Sequence, residues 1–131
     1  MRTFTSETIK AIRGRLVFKK LLINEKCLLD QFEESIKGTP YESEMRSIYT
    51  YMEFVANNTL LPRTKLNVIK KCYGKQKCYE FKSKNLRVYA FSITGGKVIV
   101  LGGNKSNQVK DIRQLKSILK DIIESNQLNK L

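Results

Sequence analysis

The chain predicts an α+β fold: a twisted antiparallel sheet with an N-terminal helical hairpin on one face, completed by a C-terminal helix. Three observations carry that prediction. Residues 86–93 and 97–101 are dense in β-branched and aromatic side chains, and Gly95-Gly96 between them supplies the positive φ angles of a tight hairpin turn. Upstream, two apolar series recur at helical spacing on either side of Thr39-Pro40. Downstream, a third such series follows the last strand.

Taken in order, residues 1–13 carry Phe4, Ile9 and Ile12 among polar neighbours, a pattern compatible with an arm, a short helix or a strand. Residues 15–23, with Leu16, Val17, Phe18, Leu21, Leu22 and Ile23, predict a first strand. Asn24 stands as an N-cap, with Glu25 suited to the positively polarised first turn. Cys27, Leu28, Gln31, Phe32, Ser35 and Ile36 then mark one helix, ended by Gly38. After Thr39-Pro40, the residues Tyr41, Met45, Ile48, Tyr49, Met52 and Val55 mark a second. Leu60-Leu61-Pro62 opens an extended connection into a strand over 66–72, and Tyr73-Gly74 turns it. A three-stranded meander follows over 77–82, 86–93 and 97–101. Val109, Ile112, Leu115, Ile118, Leu119 and Ile122 define the last helix, over about 108–126, and residues 127–131 are expected to fray.

At 131 residues the chain is long enough for one core and predicts a single domain over 1–131. No apolar run approaches the roughly 20 residues of a spanning helix, and the first residues lack the apolar core of a secretion signal. A soluble, cytoplasmic chain without membrane contact is expected. Three cysteines, Cys27, Cys72 and Cys78, are an odd number without C-x-x-C spacing, which favours reduced thiols over a disulfide framework or a zinc site. Histidine is absent, which removes the Ser-His-Asp and Cys-His nucleophile systems and every histidine metal site. The glycines of GGNKS do not make a phosphate loop, because no G-x-x-x-x-G-K-[ST] exists. They suit a turn at Gly95-Gly96 and a bulge or close approach at Gly102-Gly103. No cofactor is expected. No metal is expected either, since Glu80 and Asp111 are the only acids near the sheet.

Charge is the strongest compositional signal. Lysine and arginine number 25 against 12 acids, a net charge of +13 that points to a polyanion such as nucleic acid. Its distribution sharpens the point: between Phe54 and Lys110 there are twelve basic residues and a single acid, Glu80. If the break Ser83-Lys84-Asn85 is a tight turn, Lys82 pairs with Arg87 and Glu80 with Tyr89. Alternation then puts all four on one face. The plainer account is a solvated cross-strand pair with Glu80, worth under about 1 kcal/mol. Lys70, Lys71, Lys75, Lys77 and Lys84 are candidate phosphate contacts, and equally a charged edge that blocks strand addition.

Three stretches in series carry a resemblance: Leu60-Leu61-Pro62 ahead of the basic strand, YEFKSKNLRVYAF over 79–91, and GGKVIVLGGNKSNQ over 95–108. Together with the order of elements, they resemble the RelE/ParE superfamily of toxin–antitoxin toxins, nearest to its HigB-like branch, over about residues 16–122. That resemblance implies a small endoribonuclease that cuts messenger RNA on the translating ribosome, inhibits translation, and is held inactive by a cognate antitoxin protein. It implies that Lys82 stands at the catalytic lysine of a Tyr-x-x-Lys strand and Arg87 at the arginine opening the next strand. Lys105 lies near the family's second arginine. Glu80 departs from the pattern, where some relatives carry a further lysine. No tyrosine or histidine follows Tyr89, so the protonation of the leaving group has no assigned residue.

The chemistry stands independently of the resemblance. RNA cleavage by its own 2′-hydroxyl needs a base for that proton, a cation on the phosphorane and a proton for the 5′ oxygen. A lysine crowded by other cations is pushed toward its basic form, so a positive cluster creates its own base; Lys82, beside Lys84 and Arg87, is the candidate. Arg87 suits the phosphate as a planar donor. Tyr89 stacks on a base or orients a proton, and Glu80 acts as a base or pairs with Arg87. The alternatives are a ParE-like inhibitor of DNA gyrase, which catalyses nothing, and a non-catalytic RNA- or ribosome-binding module.

Overall fold

The N-terminal segment, compatible in sequence with three conformations, forms an edge strand. In the computed structural model, which describes residues 2–131, that strand is β1 (Phe4–Thr8), followed by β2 (Val17–Ile23), α1 (Leu28–Ile36) and α2 (Tyr41–Ala56). Then come β3 (Leu66–Tyr73), β4 (Gln76–Lys82), β5 (Leu86–Ile93), β6 (Gly96–Asn104) and α3 (Gln108–Glu124). The six strands form one sheet in the order β1-β2-β6-β5-β4-β3. The α+β class agrees with the sequence, but the sheet is mixed, not purely antiparallel. β6 returns from the meander to lie parallel to β2, Val17 opposite Gly96, while every other pairing is antiparallel.

Because alternate residues face opposite sides, the sheet builds two cores. On one face Phe18, Phe81, Val88, Ala90 and Ile99 are buried with Leu29, Ile48 and Met52 of the α1–α2 hairpin. On the other, Leu21, Cys78, Tyr89, Phe91, Val98 and Val100 are buried with Leu115, Ile118, Leu119 and Ile122 of α3. The α3 stripe is therefore core, at about 1.5–3 kcal/mol for each fully buried aliphatic side chain.

Several local expectations are corrected. Asn24 does not cap α1: it and Glu25 hold left-handed φ values of 49° and 69°, Asn24 Oδ1 accepts from Thr3 N at 2.8 Å, and Cys27 Sγ caps the helix by accepting from Asp30 N. Only Gly95 uses positive φ in the β5–β6 turn, at 79°. Gly96 serves a different need, since a Cβ there would overlap the Val17 carbonyl of the neighbouring strand. Gly102 and Gly103 are close-approach positions against Phe32 and Asp111; the register shift of this pair of strands falls between Tyr89 and Ala90.

Residues 127–131 do not fray. Gln127 is buried; its Oε1 accepts from Phe4 N at 2.9 Å and its Nε2 donates to Arg2 O, which locks the end of the chain onto β1. The expectation of three reduced thiols also fails. Cys72 and Cys78 form a disulfide across the β3–β4 hairpin, with Cα atoms 6.0 Å apart, and only Cys27 is free. A bulge between Ile69 and Tyr73, with Lys71 at a φ of 53°, turns Cys72 inward toward Cys78. Spacing along the sequence does not reveal such a bulge. No helix among the described residues is long and apolar enough to cross a membrane.

Candidate nucleic-acid site at one end of the sheet

Lys82 and Arg87 are directly opposed across β4 and β5, and Glu80 is opposed to Tyr89, the register anticipated from a three-residue turn. All four therefore point to the α3 face. α3 covers that face only in part, so burial grades along each strand. Tyr89 is 0% exposed and Glu80 3%, while Lys82 and Arg87, one pleat nearer the sheet end, are half-buried.

The turn beneath this end is fixed from the hairpin side. Glu44, in the first turn of α2, accepts from Ser83 Oγ at 2.5 Å, Asn85 N at 2.7 Å and Asn85 Nδ2 at 2.8 Å. Burial pushes the Glu44 carboxyl up, but these donors outweigh it and hold it below its ordinary value. Ser83 passes the constraint on, because its carbonyl and that of Leu86 accept from Arg87 Nη1 at 2.7 and 2.8 Å. One edge of the guanidinium is thus spent on locating Arg87. Its Nε is enclosed and has no partner among the described residues, and neither has the Tyr89 hydroxyl. Sequence reasoning missed Glu44; its position in the first turn of a helix after Pro40 is the one local signal that could have drawn notice.

Two of the predicted roles change. The Tyr89 ring is sealed in the core and offers no face for a base to stack on. Its phenol is pushed above its ordinary range by burial, then by Asp111 and Glu80, against the pull of Arg87. Glu80 is not a free base and does not pair with Arg87: Asn67 Nδ2 donates to its Oε1 at 3.1 Å and Gln108 Nε2 to its Oε2 at 2.8 Å. It is a positioning residue that joins β3, β4 and the first turn of α3. Among the described residues the ion pairs are Arg2 with Asp121 and Lys20 with Asp30, so no carboxylate neutralises Lys82 or Arg87.

Lys84, in the turn, and Lys105, in the single 3₁₀ turn Lys105–Asn107 that precedes α3, are exposed at the same end. Lys105 N donates to Asn85 O at 2.8 Å, which holds the two loops together. Lys82, Lys84, Arg87 and Lys105 are therefore one group. Lys70, Lys71, Lys75 and Lys77 are exposed but do not join it. Lys75 lies in the turn at the far end of the β3–β4 hairpin, about 20 Å from Lys82 at the rise of a strand. Lys77 shares the opposite face with Tyr79, over whose ring buried Lys97 places its Nζ at 3.7 Å.

The first turn of α3 closes the site. Its N-terminus brings partial positive charge to the same end of the sheet. Asp111, 8% exposed, rests on Gly103, which lies directly opposite Arg87. Burial pushes the Asp111 carboxyl above its ordinary value against the smaller pull of Lys110. The arrangement presents two half-exposed cations to an anion, with two exposed lysines beside them and a buried acid behind. No protein-family model, curated protein or solved structure matches the chain.

Proposed function

We propose that this chain is a toxin-type, metal-independent endoribonuclease of RelE-like fold that cuts messenger RNA on the ribosome in the cytoplasm and is silenced by an antitoxin protein. The observation that carries the reading is the opposition of Lys82 and Arg87 in register on one sheet face, half-exposed and without a neutralising carboxylate among the described residues. Lys82 takes the proton of the 2′-hydroxyl. Arg87, already anchored through Nη1, presents its remaining donors to the non-bridging phosphate oxygens. Lys84 and Lys105 hold the flanking phosphates. The resemblance of residues 60–62, 79–91 and 95–108 to the RelE/ParE superfamily supports the same assignment.

The test is to induce the protein in cells and map the 5′ ends of transcripts. Discrete cuts within reading frames, lost in Arg87→Ala and Lys82→Ala variants that keep the wild-type circular dichroism spectrum, are expected. DNA breaks without RNA cuts would replace this reading with gyrase inhibition, and arrest without either would leave an RNA-binding module.

A further inference from the structure

Under the proposed reading the 5′ oxygen that leaves the phosphate needs a proton, and the chain has no histidine and no tyrosine after Tyr89 to supply it. The pairing of three strands identifies another donor. Lys82 on β4 is opposite Arg87 on β5, Arg87 is opposite Gly103 on β6, and Asp111 Oδ2 lies against Gly103, where any Cβ would overlap it. Lys82, Arg87 and the Asp111 carboxyl therefore form one row across the sheet. Neighbouring strands are about 4.8 Å apart, so the ends of the row are separated by about 10 Å with the Arg87 position between them.

That order is what an in-line displacement requires. The attacking 2′ oxygen and the leaving 5′ oxygen lie on opposite sides of phosphorus, so base and acid must flank the group that holds the phosphate. We infer that Asp111 is the catalytic acid of this site, giving its carboxyl proton to the leaving 5′ oxygen while Lys82 receives the proton of the 2′-hydroxyl. The 2′ oxygen bonds to phosphorus as the P–O5′ bond breaks, which leaves a 2′,3′-cyclic phosphate and a free 5′-hydroxyl. Lys82 then returns its proton to water and Asp111 takes one back, so nothing is consumed.

Glu80 does not compete for the role, because both its oxygens are held by amide donors. Asp111 carries no such bonds and no ion pair among the described residues, and it is not part of the core stripe of α3. The charged and titratable groups around it are Lys110 on its own helix, Glu80, Tyr89 and Arg87 on the facing strands, and Lys105 in the turn before it. The fully enclosed, unpartnered Tyr89 hydroxyl and Arg87 Nε lie on the same face of the sheet, which marks this end as polar space not satisfied by the fold itself.

The inference rests on the proposed endoribonuclease function, and a leaving-group substitution separates the two. Wild-type protein and Asp111→Asn are assayed on ribosomes programmed with an mRNA cut at one mapped position, and on the same mRNA with sulfur replacing the 5′ bridging oxygen there. A thiolate leaves without protonation. Asp111→Asn should cut the ordinary mRNA about 10²–10⁴ times more slowly and the sulfur mRNA within about threefold of wild type, whereas Lys82→Ala should fail on both.

Equal losses on the two substrates, or no loss on either, would overturn the role of Asp111 and leave the nuclease standing. Failure of the wild type on both would remove the nuclease and the acid together. A wild-type measurement makes the inference testable even if the variant does not fold: both substrates need the Lys82 base and only the ordinary mRNA needs the Asp111 proton, so the rate on ordinary mRNA divided by the rate on sulfur mRNA should fall as pH rises. A ratio that does not change with pH would count against Asp111.

Discussion

Replacing Tyr89 with phenylalanine should stabilise the free protein. The ring is fully buried among the residues under α3, and its hydroxyl is enclosed without a hydrogen-bond partner among the described residues. A buried hydroxyl left unpaired costs about 1–3 kcal/mol. Phenylalanine keeps every carbon contact and leaves a gap of one oxygen atom, whose lost dispersion offsets part of the gain. The expected balance is a stabilisation of about 1 kcal/mol, or about 3–5 °C in Tm for a domain of this length.

A pH dependence accompanies it. The folded state raises the phenol above its ordinary value, chiefly by burial, so the stability associated with its neutral form is complete below the unfolded pKa of about 10 and is lost as pH rises beyond it. Urea denaturation of both proteins at pH 7 and at pH 10.5 measures the two effects together. The Tyr89→Phe variant should be the more stable at pH 7 and should widen its lead at pH 10.5. A loss of 1 kcal/mol or more at pH 7 would refute the reasoning, because it would mean that the hydroxyl is paired in the folded protein and the unsatisfied site is not real.

Two further substitutions probe how the site is held. Glu44→Gln keeps one acceptor but sets an amide against Asn85 Nδ2, and should cost about 1–2 kcal/mol. Since the folded state lowers the Glu44 carboxyl, its contribution is present above the unfolded pKa and disappears as pH falls through the folded one. Chemical denaturation between pH 7 and pH 3 should therefore show the wild-type advantage vanishing in acid, and an advantage that grows in acid would contradict the clamp. Gly96→Ala forces a methyl group into the Val17 carbonyl across the parallel β2–β6 pair and should cost about 3 kcal/mol or more. Thermal unfolding reads it, and a Tm within about 2 °C of wild type would show that β2 does not approach β6 so closely.

Most elements were legible: the last strands from their β-branched and aromatic density around Gly95-Gly96, and the helices from three apolar series of period 3.6, with Thr39-Pro40 between the first two. The register of Lys82 with Arg87 was also legible, since counting across the turn at 83–85 fixes it and alternation fixes the face. Depth was not. Glu80 and Lys82 look alike in pattern, two residues apart on one face, and differ only in how far α3 reaches along the strand. The parallel docking of β2 on β6 is a long-range choice that neither strand's composition records. Nor does spacing record that a bulge at Lys71 brings Cys72 to Cys78, or that Glu44, 39 residues before Ser83, holds the turn of the site.

The row Lys82–Arg87–Asp111 explains why a linear search sees so little of this site. Its members come from β4, β5 and α3, and the third enters only because Gly103 lacks a Cβ to exclude it. Two influences act on Asp111 in opposite directions. The first turn of a helix favours the carboxylate, since the exposed amides there carry partial positive charge, whereas burial favours the neutral acid. Burial prevails, because the first turn of α3 is pressed onto β5 and β6 by the same Leu115, Ile118, Leu119 and Ile122 stripe that fills the core. The packing that makes α3 stable therefore also raises this carboxyl above the ordinary value of a solvent-exposed aspartate, beside a cluster of cations.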